Sequence, residues 1–179
     1  CYRNTYKNTE AINYFLKALK INPQLKNVMH ELAKLYNLEL DYSRSDSIFT
    51  VLISDNINDA MLMNDYAYII ADRKDVSVEK LDFALKLSKD AIDIVPDSPE
   101  YLDTIGWIYY KSGKYDTALK YLLKSESLDT ENPVILEHLG DVYYKLNKHG
   151  RALDIYNKII NYNPNNIEIV NKIKLLNEK

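Results

Sequence analysis

The chain has 179 residues, of which 46% are hydrophobic and 27% are charged, a balance typical of folded proteins rather than disordered ones. Its net charge of −3 and the lack of a lysine- and arginine-rich stripe argue against nucleic acid as a partner. The single cysteine excludes an internal disulfide, and no apolar run in the sequence is long enough to span a membrane. With 4 glycines and 5 prolines, the composition favours long helices over strands joined by tight turns.

Residues 1–25 predict mainly one helix. Ala11, Phe15 and Ala18 recur at helical spacing, and Pro23 predicts the end of the helix because proline cannot continue it. We interpret this segment as the second half of a helix pair, and we expect further pairs upstream.

Residues 26–59 and 60–98 each predict a pair of helices. The first pair has the small residue Ala33 in its first helix. Its repeat pattern becomes less regular near residues 39–47. The second pair has Ala67 in its first helix, and a five-residue insertion lengthens the connection to its second helix. Small residues at these places predict that the two helices of a pair cross closely.

Residues 99–132 and 133–166 repeat one pattern at a distance of 34 residues. Gly106 and Gly140 correspond in this alignment, and we predict that they lie at helix crossings without room for a side chain. The other corresponding pairs are Leu102 and Leu136, Ile105 and Leu139, Tyr109 and Tyr143, Tyr110 and Tyr144, and Ala118 and Ala152.

Residues 167–179 predict a single helix with one apolar and one charged face. Lys174 stands where the earlier pairs have glycine or alanine, so this helix is not suited to a further close crossing. We therefore predict a capping helix that ends the array.

A 34-residue period of helix pairs with small residues at the crossings resembles the tetratricopeptide repeat. The part from the insertion to the fourth pair is similar to the C-terminal repeats of large bacterial proteins of that family. The resemblance implies an all-α, right-handed superhelical solenoid, made of a partial repeat, four repeats and a cap. Neighbouring repeats then bury each other's apolar faces, and the first helices line a concave groove.

Five positions of each first helix face the groove in this family, and the resemblance carries them onto this chain. The groove residues implied in this way are Asn27, His30, Lys34, Asn37, Met61, Asn64, Tyr68, Asp72, Glu100, Asp103, Trp107, Tyr110, Lys111, Glu137, Asp141, Tyr144 and Lys145. Aromatic side chains anchor protein partners because they bury much area and keep a polar group. Together with the carboxylates, they predict a neutral-to-basic partner with apolar anchors.

Two features of this groove have a second interpretation. Trp107 is either a ligand anchor or part of the core, since aromatic residues at helical spacing are usually core; Tyr109 and Tyr143 are predicted to be core. The carboxylates either contact a ligand or form a solvated face balanced by Lys111 and Lys145.

No catalytic, cofactor or metal site is predicted. Glu137 and His138 are adjacent, but no second histidine follows at helical spacing, and metal ligation needs converging ligands. The sequence has no glycine-rich phosphate loop. One subgroup of the family grips the carboxylates of chaperone tails with lysine and asparagine, and those residues are not in place here, so we do not expect chaperone-tail binding.

The resemblance implies binding rather than catalysis, by a scaffold or adaptor that takes an extended peptide or a partner helix in the groove. The alternatives are the regulatory or substrate-docking arm of a larger enzyme, and a lipoprotein of cell-envelope assembly. The last depends on whether Cys1 is an acylated N-terminal residue or the edge of a longer chain. Tyr2, at the repeat position of Tyr109, favours the longer chain. The location therefore stays open between the cytoplasm and the cell envelope.

Overall fold

The computed structural model describes residues 5–178, and in that range the chain forms α-helices and no strand. The helices are α1 (Thr5–Ile21), α2 (Lys26–Leu38), α3 (Tyr42–Asp55), α4 (Ala60–Asp72), α5 (Val78–Ile94), α6 (Pro99–Lys111), α7 (Tyr115–Leu128), α8 (Pro133–Lys145), α9 (His149–Tyr162) and α10 (Ile167–Asn177). The all-α prediction is confirmed. The expectations for Cys1 and Tyr2 lie outside the described residues.

The helices pack as a row of hairpins. In each hairpin a first helix contacts the helix that follows it: α2 with α3, α4 with α5, α6 with α7, and α8 with α9. Each second helix also contacts the next first helix, and α10 packs on α9. In addition α6 contacts both α4 and α8, so these first helices lie side by side along one face. The chain is a helical solenoid.

Polar side chains and prolines fix where the helices begin. A side-chain oxygen before the helix accepts a hydrogen bond from a free backbone N–H of the first turn, which is the usual N-cap arrangement. Pro99 and Pro133 occupy the first helical position, where the missing N–H costs no hydrogen bond. The capping residues are Asp41, Asp59, Ser77, Ser98, Asn132 and Asn166.

The two predicted helix crossings are as close as the glycines suggest. A Cβ atom on Gly106 would lie 2.6 Å from Cγ of Leu122, which is itself fully buried. A Cβ atom on Gly140 would overlap the ring of Tyr156. Both crossings therefore require glycine, and the prediction that they have no room for a side chain is confirmed.

The buried side chains form two apolar clusters. One extends from α2 to α6 and includes Phe49 stacked on Tyr66 at a centroid distance of 4.5 Å. The other extends from α7 to α10 and includes Tyr156. Tyr109 and Tyr143, which we predicted to be core, are only half-buried and pack against the edge of the second cluster.

The insertion between α4 and α5 carries a buried arginine. Arg73 is 7% exposed and donates hydrogen bonds to Asp46 at 2.6 Å and to Asn37 at 2.8 Å. Its guanidinium also lies over the ring of Tyr42. Burial alone would raise the pKa of Asp46, but hydrogen bonds from Arg73 and Lys80 outweigh it and hold that pKa below its ordinary value. Arg73 thus stabilises the irregular α2–α3 connection from the following hairpin.

The last helix closes the second cluster. Ile169 and Leu176 of α10 are buried against it, while Lys174 is exposed. Among the helices within residues 5–178, none is long and apolar enough to cross a membrane.

Candidate functional site

The implied groove residues differ in how much of each side chain reaches solvent. The exposed ones are Asn27, Met61, Asp72, Glu100 and Lys145. The half-buried ones are His30, Lys34, Asn37, Tyr68, Tyr110, Lys111, Glu137, Asp141 and Tyr144. The buried ones are Asn64, Asp103 and Trp107. The last three differ from the expectation of ligand-facing side chains.

One pattern of polar contacts runs along the groove, and we call it the polar ladder. In α2, α6 and α8, a residue in the second turn contacts a residue in the second turn of the next first helix. The three pairs carry opposite charges when the histidines are protonated: His30 with Asp65 at 3.2 Å, Asp103 with His138 at 2.9 Å, and Glu137 with Lys172 at 2.7 Å. In the His30–Asp65 pair, Nε2 and the carboxylate oxygen lie at ion-pair distance, but their geometry is not that of a hydrogen bond.

The middle pair is buried with an aromatic stack. Nδ1 of His138 lies 2.9 Å from each carboxylate oxygen of Asp103, and because a carboxylate only accepts, Nδ1 carries the proton. The imidazole also stacks on Trp107, with ring centroids 4.1 Å apart. Trp107 also stacks on Tyr110, with ring centroids 4.7 Å apart. With 9% of its surface exposed, Trp107 fits the core interpretation better than the anchor interpretation.

The Glu137–Lys172 pair connects α8 to α10. Lys172 of α10 places its ammonium between Glu137 and Asp141, 2.7 Å and 2.8 Å away, and Tyr156 donates a hydrogen bond to Asp141. Burial lowers the pKa of Lys172, but the two carboxylates outweigh it and raise that pKa above its ordinary value. Burial, with the Asp141 charge, raises the pKa of the Tyr156 hydroxyl. Both carboxylates, which we expected to meet a ligand, are already partnered from within the chain.

Two cavities open along the face of the first helices. One, of about 240 Å³, is lined by Tyr110, Asp141, Tyr144, Lys145, Tyr156, Lys172 and Leu175. The other, of about 220 Å³, we call the Asn64 pocket. It is lined by Asn64, Asp65, Tyr68, Glu100, Asp103, Thr104, Asn132, Val134 and Ile135. Both are smaller than sites for drug-sized ligands and match the size of single side chains.

None of the lysines implied for the groove lines the Asn64 pocket. Lys111 donates to the backbone oxygen of Arg73 at 3.4 Å, and Lys34 pairs with Glu31 on its own helix. Lys145 is exposed. Tyr68 lines the Asn64 pocket. Burial, followed by the charges of nearby carboxylates, raises the pKa of Tyr68. In residues 5–178 no three carboxylate, histidine or cysteine side chains converge well enough to hold a metal ion.

The repeat pattern matches known sequence families. A family model described as TPR repeat matches residues 106–147, and one described as tetratricopeptide repeat matches residues 1–25 and 135–166. The matched segments are tetratricopeptide repeats. A curated TPR repeat-containing protein of Pseudomonas aeruginosa is 28% identical over 111 residues, which is 62% of this chain and 18% of that protein. This tetratricopeptide repeat chain thus spans less than a fifth of the relative's length.

Solved structures share the solenoid. The crystal structure of TTC0263, a thermophilic tetratricopeptide repeat protein of Thermus thermophilus, has a TM-score of 0.81 at 20% identity and covers 98% of this chain and 93% of its own. The first repeat domain of Spaghetti (RPAP3), solved with the HSP90 peptide SRMEEVD, has a TM-score of 0.59 at 18% identity and covers 66% and 90%. At these identities the similarity shows the fold, and the fold prediction is confirmed.

Three members of the polar ladder were missed from sequence. Each of His138, Lys172 and Asp65 lies one residue after a groove position of its repeat. Carrying over the groove positions alone therefore leaves these three residues out. A signal does exist, because the residues of each of these pairs lie 35 apart, one more than the repeat period. Opposite charges at that spacing predict contacts between successive first helices.

Proposed function

We propose that this chain is a protein-interaction scaffold whose groove holds an extended peptide or a partner helix. The observation that carries the proposal is the pair of side-chain-sized cavities on the face of α4, α6, α8 and α10. Each combines tyrosine with charged side chains, so each offers apolar contact area beside polar groups, and the Asn64 pocket carries the negative charge. Cavities spaced along a continuous face suit successive side chains of one partner segment.

The charge of the groove predicts the charge of the partner. Asp65, Glu100 and Asp103 gather at the Asn64 pocket without a lysine or arginine among its lining residues. We therefore expect a neutral-to-basic segment with apolar anchors, and binding that weakens as salt is added. The RPAP3 repeat domain was solved with a peptide rich in acidic residues. The Asn64 pocket is lined by carboxylates and would repel such a peptide, which supports a different ligand class on the same fold.

Two half-buried tyrosines of the groove give a direct test. The chain is used to select binders from a displayed random peptide library, and selected peptides are measured against two groove variants, Tyr110→Ala and Tyr144→Ala. The matched control is Tyr162→Ala, because that ring is 63% exposed on α9, a second helix. Thermal melts establish that each variant is folded.

We expect the selected peptides to share basic residues, to bind the control as well as the parent, and to lose at least about tenfold in affinity on each groove variant, as anchor residues do. Failure to enrich any peptide, or equal loss on Tyr162→Ala, would contradict the proposal.

A further inference from the structure

The polar ladder has one unpaired step. At the position that pairs elsewhere with the following first helix, α4 carries Asn64, and the residue opposite on α6 is Thr104. The Thr104 hydroxyl instead donates to the backbone oxygen of Glu100, at 3.0 Å. Asn64 is 6% exposed, and its side-chain oxygen has no hydrogen-bond partner among the described residues. An unsatisfied buried acceptor is costly, so a donor supplied from outside would be favoured.

Asn64 is among the residues that line the Asn64 pocket, so the side chain with this buried oxygen borders the opening. Carboxylates surround the opening, from Asp65, Glu100 and Asp103. Two of them are contacted by histidines of the ladder, and Glu100 accepts a hydrogen bond from the Ser98 hydroxyl at 2.8 Å. Neither a lysine nor an arginine lies among the lining residues, so Glu100 has no lysine or arginine partner in the pocket.

We propose that the Asn64 pocket binds the guanidinium group of an arginine side chain from the partner segment. The inference rests on the proposed function and names what one of its two cavities holds. The guanidinium donates to the free oxygen of Asn64 and to the carboxylate of Glu100. The methylene groups of the arginine lie along Val134 and Ile135, which form the apolar wall of the pocket.

The geometry favours arginine over other cations. Among the described residues, no three carboxylate, histidine or cysteine side chains converge as metal ligands do, and the acidic groups of this pocket lie apart. A guanidinium spreads five N–H donors over a plane, so it reaches acceptors that lie apart, whereas an ammonium is a point charge with three donors. A pocket of about 220 Å³ suits one such side chain rather than a larger ligand.

Small probes test this pocket without knowledge of the natural partner. The tripeptide acetyl-Gly-Arg-Gly-amide is titrated into isotope-labelled chain, and NMR shifts are followed at the Asn64 side-chain amide and at the backbone amides of residues 100–104. Two parallel probes replace arginine by citrulline, which keeps the shape and loses the charge, and by lysine. We expect saturable shifts with arginine, binding at least about tenfold weaker with citrulline, and intermediate binding with lysine.

Variants connect the binding to the pocket. Asn64→Leu removes the amide at nearly constant volume, a change that buried sites tolerate when no partner is left behind. Glu100→Gln removes one charge from an exposed position, and Glu10→Gln is its matched control because Glu10 is exposed on α1, away from the pocket. We expect about fivefold or greater loss of arginine-probe affinity for the first two variants and no change for the control. If Asn64→Leu does not fold, Glu100→Gln alone decides.

Each outcome separates this inference from the proposed function. Equal binding of the arginine and citrulline probes, or unchanged binding by Glu100→Gln, overturns the arginine pocket. If library-selected peptides still lose affinity on Tyr110→Ala and Tyr144→Ala, the scaffold function stands without it. If neither the arginine probe nor any library peptide binds the parent chain, both proposals fall.

Discussion

Asp103 on α6 and His138 on α8 form a buried contact between successive hairpins, with Nδ1 of the imidazole 2.9 Å from both carboxylate oxygens. Charge-assisted hydrogen bonds of this kind contribute more than neutral ones. We expect a double-mutant cycle of Asp103→Ala and His138→Ala, measured by denaturant unfolding, to give a coupling energy of about 1–3 kcal/mol. A coupling near zero would mean that the two side chains are adjacent without stabilising each other.

Gly106→Val should destabilise the chain, because its Cβ would lie 2.6 Å from Cγ of the fully buried Leu122. Overpacking of this kind costs about 1–3 kcal/mol, which thermal melts resolve. Gly150→Ala is the control, since nothing lies within 4 Å of its added carbon, and it should melt at or slightly above the parent because alanine is the better helix former. A parent-like melt of Gly106→Val would show that the crossing is looser than described.

Lys172→Gln should loosen the end of the solenoid. The ammonium of Lys172 lies between Glu137 and Asp141, and its removal leaves those two carboxylates facing each other without a cation. We expect a loss of roughly 1.5–3 kcal/mol and faster hydrogen exchange in α10. Lys174→Gln serves as the control on the same helix, because Lys174 is exposed. Similar exchange in both variants would contradict the assigned role.

Asp46 should make the stability depend on pH in acid. Its pKa is lower in the folded chain than in the unfolded chain, because the Arg73 and Lys80 hydrogen bonds outweigh the effect of burial. A lowered pKa contributes stability above the unfolded value of about 3.9 and loses it as the pH falls below that value. The stability difference between the parent and Asp46→Asn should therefore shrink as the pH falls below about 4. Melts across that range would show a constant difference if the pairing with Arg73 did not matter.

The fold was predictable because its requirements are steric. Two helices that cross closely need a small residue at one place, and Gly106 and Gly140 identify that place from sequence alone. The apolar spacing then fixes which face of each helix is buried. The division of the chain into repeats at residues 26, 60, 99, 133 and 167 stays a prediction.

The site was less predictable because burial in a groove depends on the neighbouring hairpin. Asp103 and Trp107 occupy implied groove positions, yet His138 from the next hairpin covers them. Arg73 was missed for a similar reason, since an insertion has no repeat register and its partner Asp46 belongs to the preceding hairpin. A contact between repeats depends on one residue from each of two hairpins. The sequence pattern of a single repeat shows only one of these two residues.

The single tryptophan of the chain lies between Tyr110 and His138, one turn along α6 from Asp103 of the Asn64 pocket. Its emission therefore comes from one known place and needs no label. Indole emission depends on the groups packed against the ring, so the signal reports on whether the stack of His138 over Trp107 is intact. Any event that shifts α8 against α6, such as the arrival of a partner, changes an optical signal that the unmodified protein already carries.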